Sequence, residues 1–294
     1  MKDNPTNNLR EILKEKKIHI MPCCYDPLSA KMIEQAKFNL SFMSGFATAA
    51  ARLGMPDTGL ISYGEIIDQG RNICDSVNIP IIGDGDTGYG NAINVRRTVR
   101  GFYKAGFAGI LIEDQVSPKR CGHTRGKQVV DRKEAIERIK AAIDEKNSGS
   151  DILIMARTDA RFDHGITEAI ERMKIFQDLG ADILFIEGPQ TKKEMEEICK
   201  QLNGPKLINI VEGGDTPLLE LKELEKMGYS IAAYPLTILS AAMKATKTVL
   251  ENFKNNINNE NMLMSFKEMQ KVIGFDDYFK LEKKYVNAKD NDQE

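Results

Sequence analysis

The sequence predicts an α/β protein built as a closed (β/α)8 barrel, and three observations predict it. Short apolar, β-branched runs alternate with longer amphipathic segments along nearly the whole chain. The runs are nearly continuous in apolar residues, as parallel strands covered on both faces by helices must be. Eight such strand-and-helix units fit into about 230 residues, which suits a closed barrel. An open doubly wound sheet would usually need fewer strands.

Taken in order, the strands are IHIMPC (18–23), FNLSFMSG (38–45), IPIIGDGD (79–86) and GILIEDQ (109–115), then ILIMARTDA (152–160), ILFIEGP (183–189), KLINIVE (206–212) and SIAAYPL (230–236). Between them AINVRRTVRGFYKAG, DRKEAIERIKAAIDEK, ITEAIERMKIFQDLG and LKELEKMG carry a helical apolar stripe. Several of these end in Gly just before the next strand, the residue that most readily caps a helix in a left-handed conformation. After the eighth strand come a helix over about 237–256, the Asn-rich FKNNINNENM, more helix to about 288, and the polar tail KDNDQE. The organisation expected is a catalytic barrel over 1–256 and a helical C-terminal extension with a frayed tail over 257–294.

Composition removes several classes of function. A formal charge of −2 argues against a nucleic-acid surface, which needs a clustered basic excess. No apolar run approaches the roughly 20 residues of a membrane span, and MKDNPTNNLREILKEKK lacks the apolar core of a secretory signal. The cysteines at 23, 24, 74, 121 and 199 form no CxxC pair, which disfavours a zinc knuckle or a disulfide framework. A reducing, cytoplasmic location is the default.

Almost every strand ends in polar residues, and in a parallel barrel those ends converge on the face that carries active sites. They include Cys23 with Tyr25 and Asp26, Ser44 with Gly45, Asp84 with Asp86, and Glu113 with Asp114. Arg157 with Asp159, Glu187, Asn209 with Glu212, and Tyr234 with Pro235 follow. GDGDTGYG (83–90) satisfies G-x-G-x-x-G, but a pyrophosphate there would meet two carboxylates, and like charges 4 Å apart repel by about 4 kcal/mol at an effective dielectric near 20. Asp84 and Asp86 read better as hard oxygen ligands for Mg2+ held largely through water, or as caps of the next helix. Glu113 and Asp114 could complete that shell. Arg157 is a fork for a substrate carboxylate, or else a buried partner of Glu187 or Asp159. Ser44 and Gly45 could offer a hydroxyl and a backbone donor to a second carboxylate, and Asn209 and Glu212 stand on the far wall. The set describes a site for a small dianionic acid.

Cys121 lies in a long loop, Val116 to Val130, after the fourth strand. As a zinc ligand it has only His123 near it. Lys119, Arg120, His123, Arg125 and Lys127 would favour thiolate over thiol, and such a thiol can serve as general acid or base. Loops of this length often close over substrate.

KRCGH, with GDGDTGYG and EDQ before it and MARTDA after it, resembles the isocitrate lyase and phosphoenolpyruvate mutase superfamily. SGFATAAARLGMPDTGL, RGKQVV, HGITEAIERM and EGGDTPL extend the likeness over roughly residues 5–285. The likeness is strongest to the branch of petal death proteins, 2,3-dimethylmalate lyases and oxaloacetate hydrolases, with the 2-methylisocitrate lyases similar across the same motifs. The resemblance implies a barrel whose last helix is exchanged between subunits, in a dimer or in a homotetramer made as a dimer of helix-swapped dimers. It implies Mg2+, or Mn2+ in its place, near Asp84 and Asp86 with Glu113 in the surrounding shell. It places Cys121 on a mobile loop as acid/base, with His123, Arg157 and Glu187 in the catalytic set. Tyr25, Ser44, Gly45, Asp57, Arg157, Glu187 and Asn209 then contact or support the substrate, and residues around Pro235 and Thr237 shape substrate choice.

The activity implied is Mg2+-dependent C–C bond cleavage of a small 2-hydroxy dicarboxylate or 2-keto acid, such as 2,3-dimethylmalate or oxaloacetate. The alternatives are a 2-methylisocitrate lyase acting on a trianion, a phosphonopyruvate or carboxyphosphonate enzyme, and a non-catalytic barrel that binds a carboxylate. Phosphonate mutases lack the Cys-Gly-His segment, which weighs against P–C chemistry.

Overall fold

Alternate residues of a strand face opposite ways, and in this chain the two sets have separate destinations. In the computed structural model, which describes residues 4–122 and 126–286, the strands are β1 (His19–Cys24), β2 (Ser41–Met43), β3 (Ile81–Asp84), β4 (Gly109–Glu113), β5 (Leu153–Thr158), β6 (Ile183–Ile186), β7 (Leu207–Asn209) and β8 (Ile231–Tyr234). All pairings are parallel, in the order β6-β5-β4-β3-β2-β1-β8-β7. A single bridge, Leu184 with Lys206, joins β6 to β7, with Leu184 N donating to Pro205 O at 3.0 Å, so the barrel is nearly closed.

One set of side chains fills the barrel: Met21 and Cys23, Ile82, Leu111, Leu153 and Met155, Ile183 and Phe185, Leu207, Ile231 and Ala233. The other set, including Ile110, Ile112, Ile154, Ala156, Leu184 and Ile186, packs outward with residues of the surrounding helices. Those helices include α2 (Pro27–Gln35), α3 (Gly45–Leu53) and α4 (Tyr63–Ser76), then α5 (Ala92–Lys104), α6 (Arg132–Asn147), α7 (Arg161–Leu179), α8 (Lys192–Gln201) and α9 (Leu221–Met227). Ahead of them α1 (Pro5–Lys14), capped by the Asn4 side chain, inserts Leu9 and Ile12 into the interior cluster. In sequence this segment reads only as lacking a secretory core; in the fold it plugs the barrel at the N-terminal ends of the strands.

Apart from β1, which keeps its six residues, the strands are shorter than their sequence patterns, most of all β2 and β7, because their polar ends leave the ladder to cap helices or line the mouth. Ser44 shows this: the pattern carries it inside a strand over 38–45, but it is the N-cap of α3, its hydroxyl accepting from Ala47 N at 3.2 Å. The chain divides into two compact units, 1–239 and 240–294. The last long helix, α10 (Thr237–Lys254), starts in the first unit; the second continues with a 3-10 turn (Glu260–Met262), α11 (Phe266–Ile273) and α12 (Phe275–Tyr285). No residue of α11 or α12 is buried. Among the described residues no helix is long and apolar enough to cross a membrane.

Candidate active site

The inward register of the strands runs past its apolar layers into polar residues at the C-terminal ends. Asp84 stands two residues after Ile82, Glu113 two after Leu111, Arg157 two after Met155, Glu187 two after Phe185, and Asn209 two after Leu207. Strand geometry therefore aims all five at the mouth. A cavity opens there, walled by Ser44, Asp57, Asp84, Lys119, Cys121, Arg157, Glu187 and Asn209 above a floor that includes Phe42, Leu111, Met155 and Phe185.

One side of the mouth is acidic. Asp84 is locked by two backbone donors, Gly45 N to Oδ2 and Asp86 N to Oδ1, each at 3.1 Å. Gly45 is required for that approach, since a Cβ there would lie 2.4 Å from Asp84 Oδ2. Asp86 holds a left-handed backbone (φ 47°), uncommon for a residue with a side chain, and its carbonyl accepts from Glu113 N at 2.9 Å. Neither aspartate caps α5; that cap is Asn91. Lys119 Nζ reaches over from the loop to within 2.6 Å of Asp57 Oδ1 and 2.9 Å of Asp86 Oδ1. Burial pushes the Asp86 carboxyl up to about 7 in spite of that ammonium, and burial likewise raises Glu113 well above the usual carboxylate range against the pull of Arg157. Burial would lower the Lys119 pKa, but Asp86, Asp84, Asp57 and Glu113 together hold it well above the ordinary lysine value.

Four carboxylates are thus gathered around one ammonium. Lys119 ion pairs aside, Asp57 Oδ1, Asp86 Oδ1 and Glu113 Oε1 are buried without a hydrogen-bond partner among the described residues. The unpartnered Glu113 oxygen and the excess of four carboxylates over one ammonium fit a divalent cation such as Mg2+. Among the described residues no three His, Cys, Asp or Glu side chains form a metal cage by themselves. Mg2+ keeps several waters and takes only one or two protein carboxylates.

The other side is organised by Arg157. Its Nε and Nη2 donate to Asp159 Oδ2 and Oδ1 at 2.8 and 2.9 Å. Nε lies 3.3 Å from Glu113 Oε2, and Nη2 lies 3.3 Å from Glu187 Oε2. Asn209 Nδ2 donates to the same Glu187 oxygen at 2.9 Å. Burial opposes the Arg157 charge, but Asp159, Glu113 and Glu187 hold its pKa well above the ordinary value.

The loop after β4 crosses this cavity. Gln115 clamps its start, accepting from Arg120 N and donating to Arg120 O, both at 2.9 Å. Cys121 N donates to Asp57 O at 3.2 Å, and the half-buried thiol residue lines the cavity. Gly122 follows so tightly that a Cβ would lie 2.5 Å from Arg157 Nη2 and 2.6 Å from Glu187 Oε2. His123 lies outside the described residues.

Several sequence expectations change. Two of the loop cations are engaged elsewhere than at the thiol, Lys119 with Asp57 and Asp86 and Lys127 Nζ with Gly122 O and Asp159; Arg125, like His123, lies outside the described residues. Asp114 does not join the cation pocket. One residue on from Glu113 it faces outward, where it accepts from Thr158 Oγ1 at 2.6 Å, Asp159 N at 2.9 Å and Arg172 Nη1 at 3.1 Å. The Gly45 N–H assigned to a substrate carboxylate is engaged by Asp84. Tyr25 is half-buried and stands outside the cavity lining. Glu212 accepts from Thr237 Oγ1 at 2.8 Å and is likewise absent from that lining. Sequence reasoning counted Lys119 among the cations around the thiol and missed its place between Asp57 and Asp86.

Comparison with known proteins points the same way. The phosphoenolpyruvate phosphomutase family model matches residues 9–254. The chain is 40% identical to a 2,3-dimethylmalate lyase of Eubacterium barkeri, over 97% of this chain and 100% of that protein. It is also 40% identical to a chloroplastic carboxyvinyl-carboxyphosphonate phosphorylmutase of Arabidopsis thaliana, over 97% of this chain and 87% of that one. Among solved structures, an oxaloacetate acetylhydrolase bound to 3,3-difluorooxalacetate superposes with a TM-score of 0.91 at 33% identity, covering 95% of this chain and 96% of that one.

Proposed function

The chain belongs to the phosphoenolpyruvate phosphomutase family, and from that premise we propose that it is a Mg2+-dependent carbon–carbon lyase or hydrolase acting on a small 2-hydroxy dicarboxylate or 2-keto acid of the 2,3-dimethylmalate or oxaloacetate type. The observation that carries this reading is the meeting, in one cavity, of the Cys121 residue, the Arg157–Glu187–Asn209 wall and Asp84, with Asp86 and Glu113 buried beside it. Those three carboxylates would hold Mg2+, or Mn2+ in its place, directly or through water. When bound, the cation supplies Lewis-acid stabilisation of the negative charge that develops on substrate oxygens.

The protein's own groups supply the rest. Arg157 presents its guanidinium to a substrate carboxylate and is held in place by Asp159, Glu113 and Glu187. Asn209 fixes Glu187, and the Ser44 hydroxyl at the N-terminus of α3 faces the cavity. The loop excludes water as C–C cleavage leaves an enolate-type carbanion, and the Cys121 thiol gives that carbanion its proton. His123 is assigned to the same catalytic set by motif. Asp57 supports the site through Lys119 and through the Cys121 N–H.

A panel of 2,3-dimethylmalate, oxaloacetate, 2-methylisocitrate and phosphonopyruvate, with Mg2+ and with chelator, tests the reading. Cleavage of a dicarboxylate that chelation abolishes is expected. Release of phosphate or phosphonate would move the chain to the phosphorylmutase reading that the Arabidopsis relative favours. Cys121→Ser should lower turnover about 100- to 10,000-fold with melting temperature unchanged; near-normal turnover would remove the thiol from the mechanism.

The assembly proposed is a dimer of helix-swapped dimers. Only Leu239 is buried along the whole of α10, while Met243, Leu250 and Phe253 are exposed, an apolar face that exchange between subunits would cover. Light scattering that returned a monomer at micromolar concentration would rule it out. A cytoplasmic placement is part of the same proposal; the five cysteines form no disulfide in the structure.

A further inference from the structure

The thiol rides on the outgoing arm of the loop, 116–122, while the returning arm, 126–130, rejoins the scaffold at α6. Lys127, buried to 5% side-chain exposure, connects them. Its Nζ donates to the carbonyl of Gly122, the residue next to Cys121. The same Nζ lies 3.5 Å from Asp159 Oδ1 and 5.0 Å from the centre of the Phe162 ring. Asp159 in turn accepts both Nε and Nη2 of Arg157, and its own N–H donates to Asp114 Oδ1 at 2.9 Å. Phe162 belongs to the first turn of α7, which Gly165 (φ 84°, ψ 173°) sets apart from the rest of that helix. Asp163 of the same turn accepts from Val129 N at 3.4 Å.

We infer that Lys127 is a positioning residue that fixes the Cys121 arm over the Arg157 pocket, acting through the Gly122 carbonyl and anchored on Asp159 and Phe162. The value of Cys121's position rests on the acid/base reading above. Charge gives the arm a reason to close. Asp159, Glu113 and Glu187 outnumber Arg157, and Lys127 brings a second cation to the side where Asp159 lies. Burial raises the Asp159 pKa, but Arg157 and Lys127 outweigh it and hold the carboxyl below its ordinary value. A loop swung away would strip that charge from a buried carboxylate. The fit is also steric, since Gly122 has no room for a Cβ against Arg157 and Glu187.

Lys127→Met keeps most of the stem and removes the ammonium. The free enzyme is treated with iodoacetamide and modification is followed residue by residue by mass spectrometry. Cys121 in K127M is expected to react about 10-fold faster than in the parent protein, as local opening of the arm requires, with the half-buried Cys74 and Cys199 unchanged as internal controls. Turnover should fall about 10- to 100-fold with KM nearly constant, the signature of a misplaced reacting group. Lys127→Arg should restore most of both. Equal Cys121 reactivity in K127M and parent overturns the inference, and so does a rise shared by all three cysteines, which would mean general loosening. Should K127M not fold, Phe162→Leu removes only the ring beneath the ammonium and should speed Cys121 modification a few-fold; no change there also overturns it. Failure of the acid/base reading looks different, because Cys121→Ser would then turn over normally while the alkylation contrast remained.

Discussion

The two ends of the barrel are built on the same strands and the same alternation, yet they handle charge in opposite ways. At the N-terminal end the interior positions are Leu153, Ile183, Leu207 and Ile231, closed off by Leu9 and Ile12 of α1. The charges at that end are paired and partly exposed at the rim: Arg10 with Asp151, and Lys146 Nζ with both oxygens of Asp182 at 2.7 and 2.6 Å. At the mouth Asp57, Asp84, Asp86 and Glu113 are all buried; Lys119 alone holds Asp57 Oδ1 and Asp86 Oδ1, and Glu113 Oε1 has no hydrogen-bond partner among the described residues. Burying a carboxylate without full compensation is unfavourable by several kcal/mol, so a fold built for stability alone would not gather four of them. The contrast assigns stability to the closed end and chemistry to the open one. It also says how each end should break.

The largest effect is expected at the mouth. Arg157→Met leaves Glu113, Asp159 and Glu187 buried around an apolar chain, with Lys127 the remaining cation at Asp159. Removing one partner of a buried charge cluster typically destabilises by about 3–5 kcal/mol. Activity should fall at least 1000-fold, roughly the sum of a lost carboxylate anchor and a displaced Glu187. Denaturant titration and substrate-panel kinetics check the two halves separately. A variant of parental stability with kcat/KM within tenfold of the parent would show that the guanidinium holds neither the cluster nor the substrate.

The opposite signature belongs to the closed end. Leu9 is fully buried inside the barrel, and Leu9→Ala should cost about 2–5 kcal/mol through lost transfer energy and the cavity left behind. At a temperature where the variant is still folded, kcat should stay within about twofold, because no element of the mouth moves when the plug is thinned. A drop beyond tenfold in the folded variant would mean that the two ends are coupled, and the division drawn above would fail.

How far each end was legible in the sequence follows from the same geometry. The barrel was legible because eight apolar runs, each with a helical segment after it, leave few other architectures. The mouth residues Asp84, Glu113, Arg157, Glu187 and Asn209 were legible because each ends an apolar run. What the runs do not display is their phase. A one-residue step turns a side chain from the interior to the helix layer, so Glu113 and Asp114 look equivalent in EDQ but face Arg157 and Arg172 respectively. Loop residues carry no periodicity at all. Only the path of the chain between β4 and α6 decides that Lys119 ends between Asp57 and Asp86 and Lys127 at Gly122 O. The plug escaped notice because a short N-terminal amphipathic helix reads the same whether it lies on the surface or fills a barrel end.

His19, at the start of β1, marks where the closed end departs from its own rule, and it offers the smallest and most specific test. The ring is only 4% exposed, Asn39 Nδ2 lies 3.2 Å from its Nδ1, and Nε2 has no hydrogen-bond partner among the described residues. Burial lowers its pKa from the ordinary 6.5, and Lys17 adds to that, while Glu15, 3.8 Å from Nε2, opposes. The imidazole is therefore neutral in the fold at pH values where the unfolded chain already binds a proton. Above pH 6.5 both states hold it neutral and stability is unaffected; as pH falls below 6.5 the unfolded state takes up the proton first and stability declines until the folded pKa is passed. The slope of the decline can reach about 1.4 kcal/mol per pH unit at most. His19→Gln removes the titration but keeps a polar side chain. The difference in unfolding free energy between parent and H19Q, measured at pH 7.5 and again at pH 5.5, should therefore shift toward the variant at the lower pH. Other acid-sensitive groups, Asp114 at about 6 among them, titrate in both proteins and cancel in that comparison. An identical difference at the two pH values would mean that the buried ring is already compensated, and that the closed end carries no uncompensated titratable group at all.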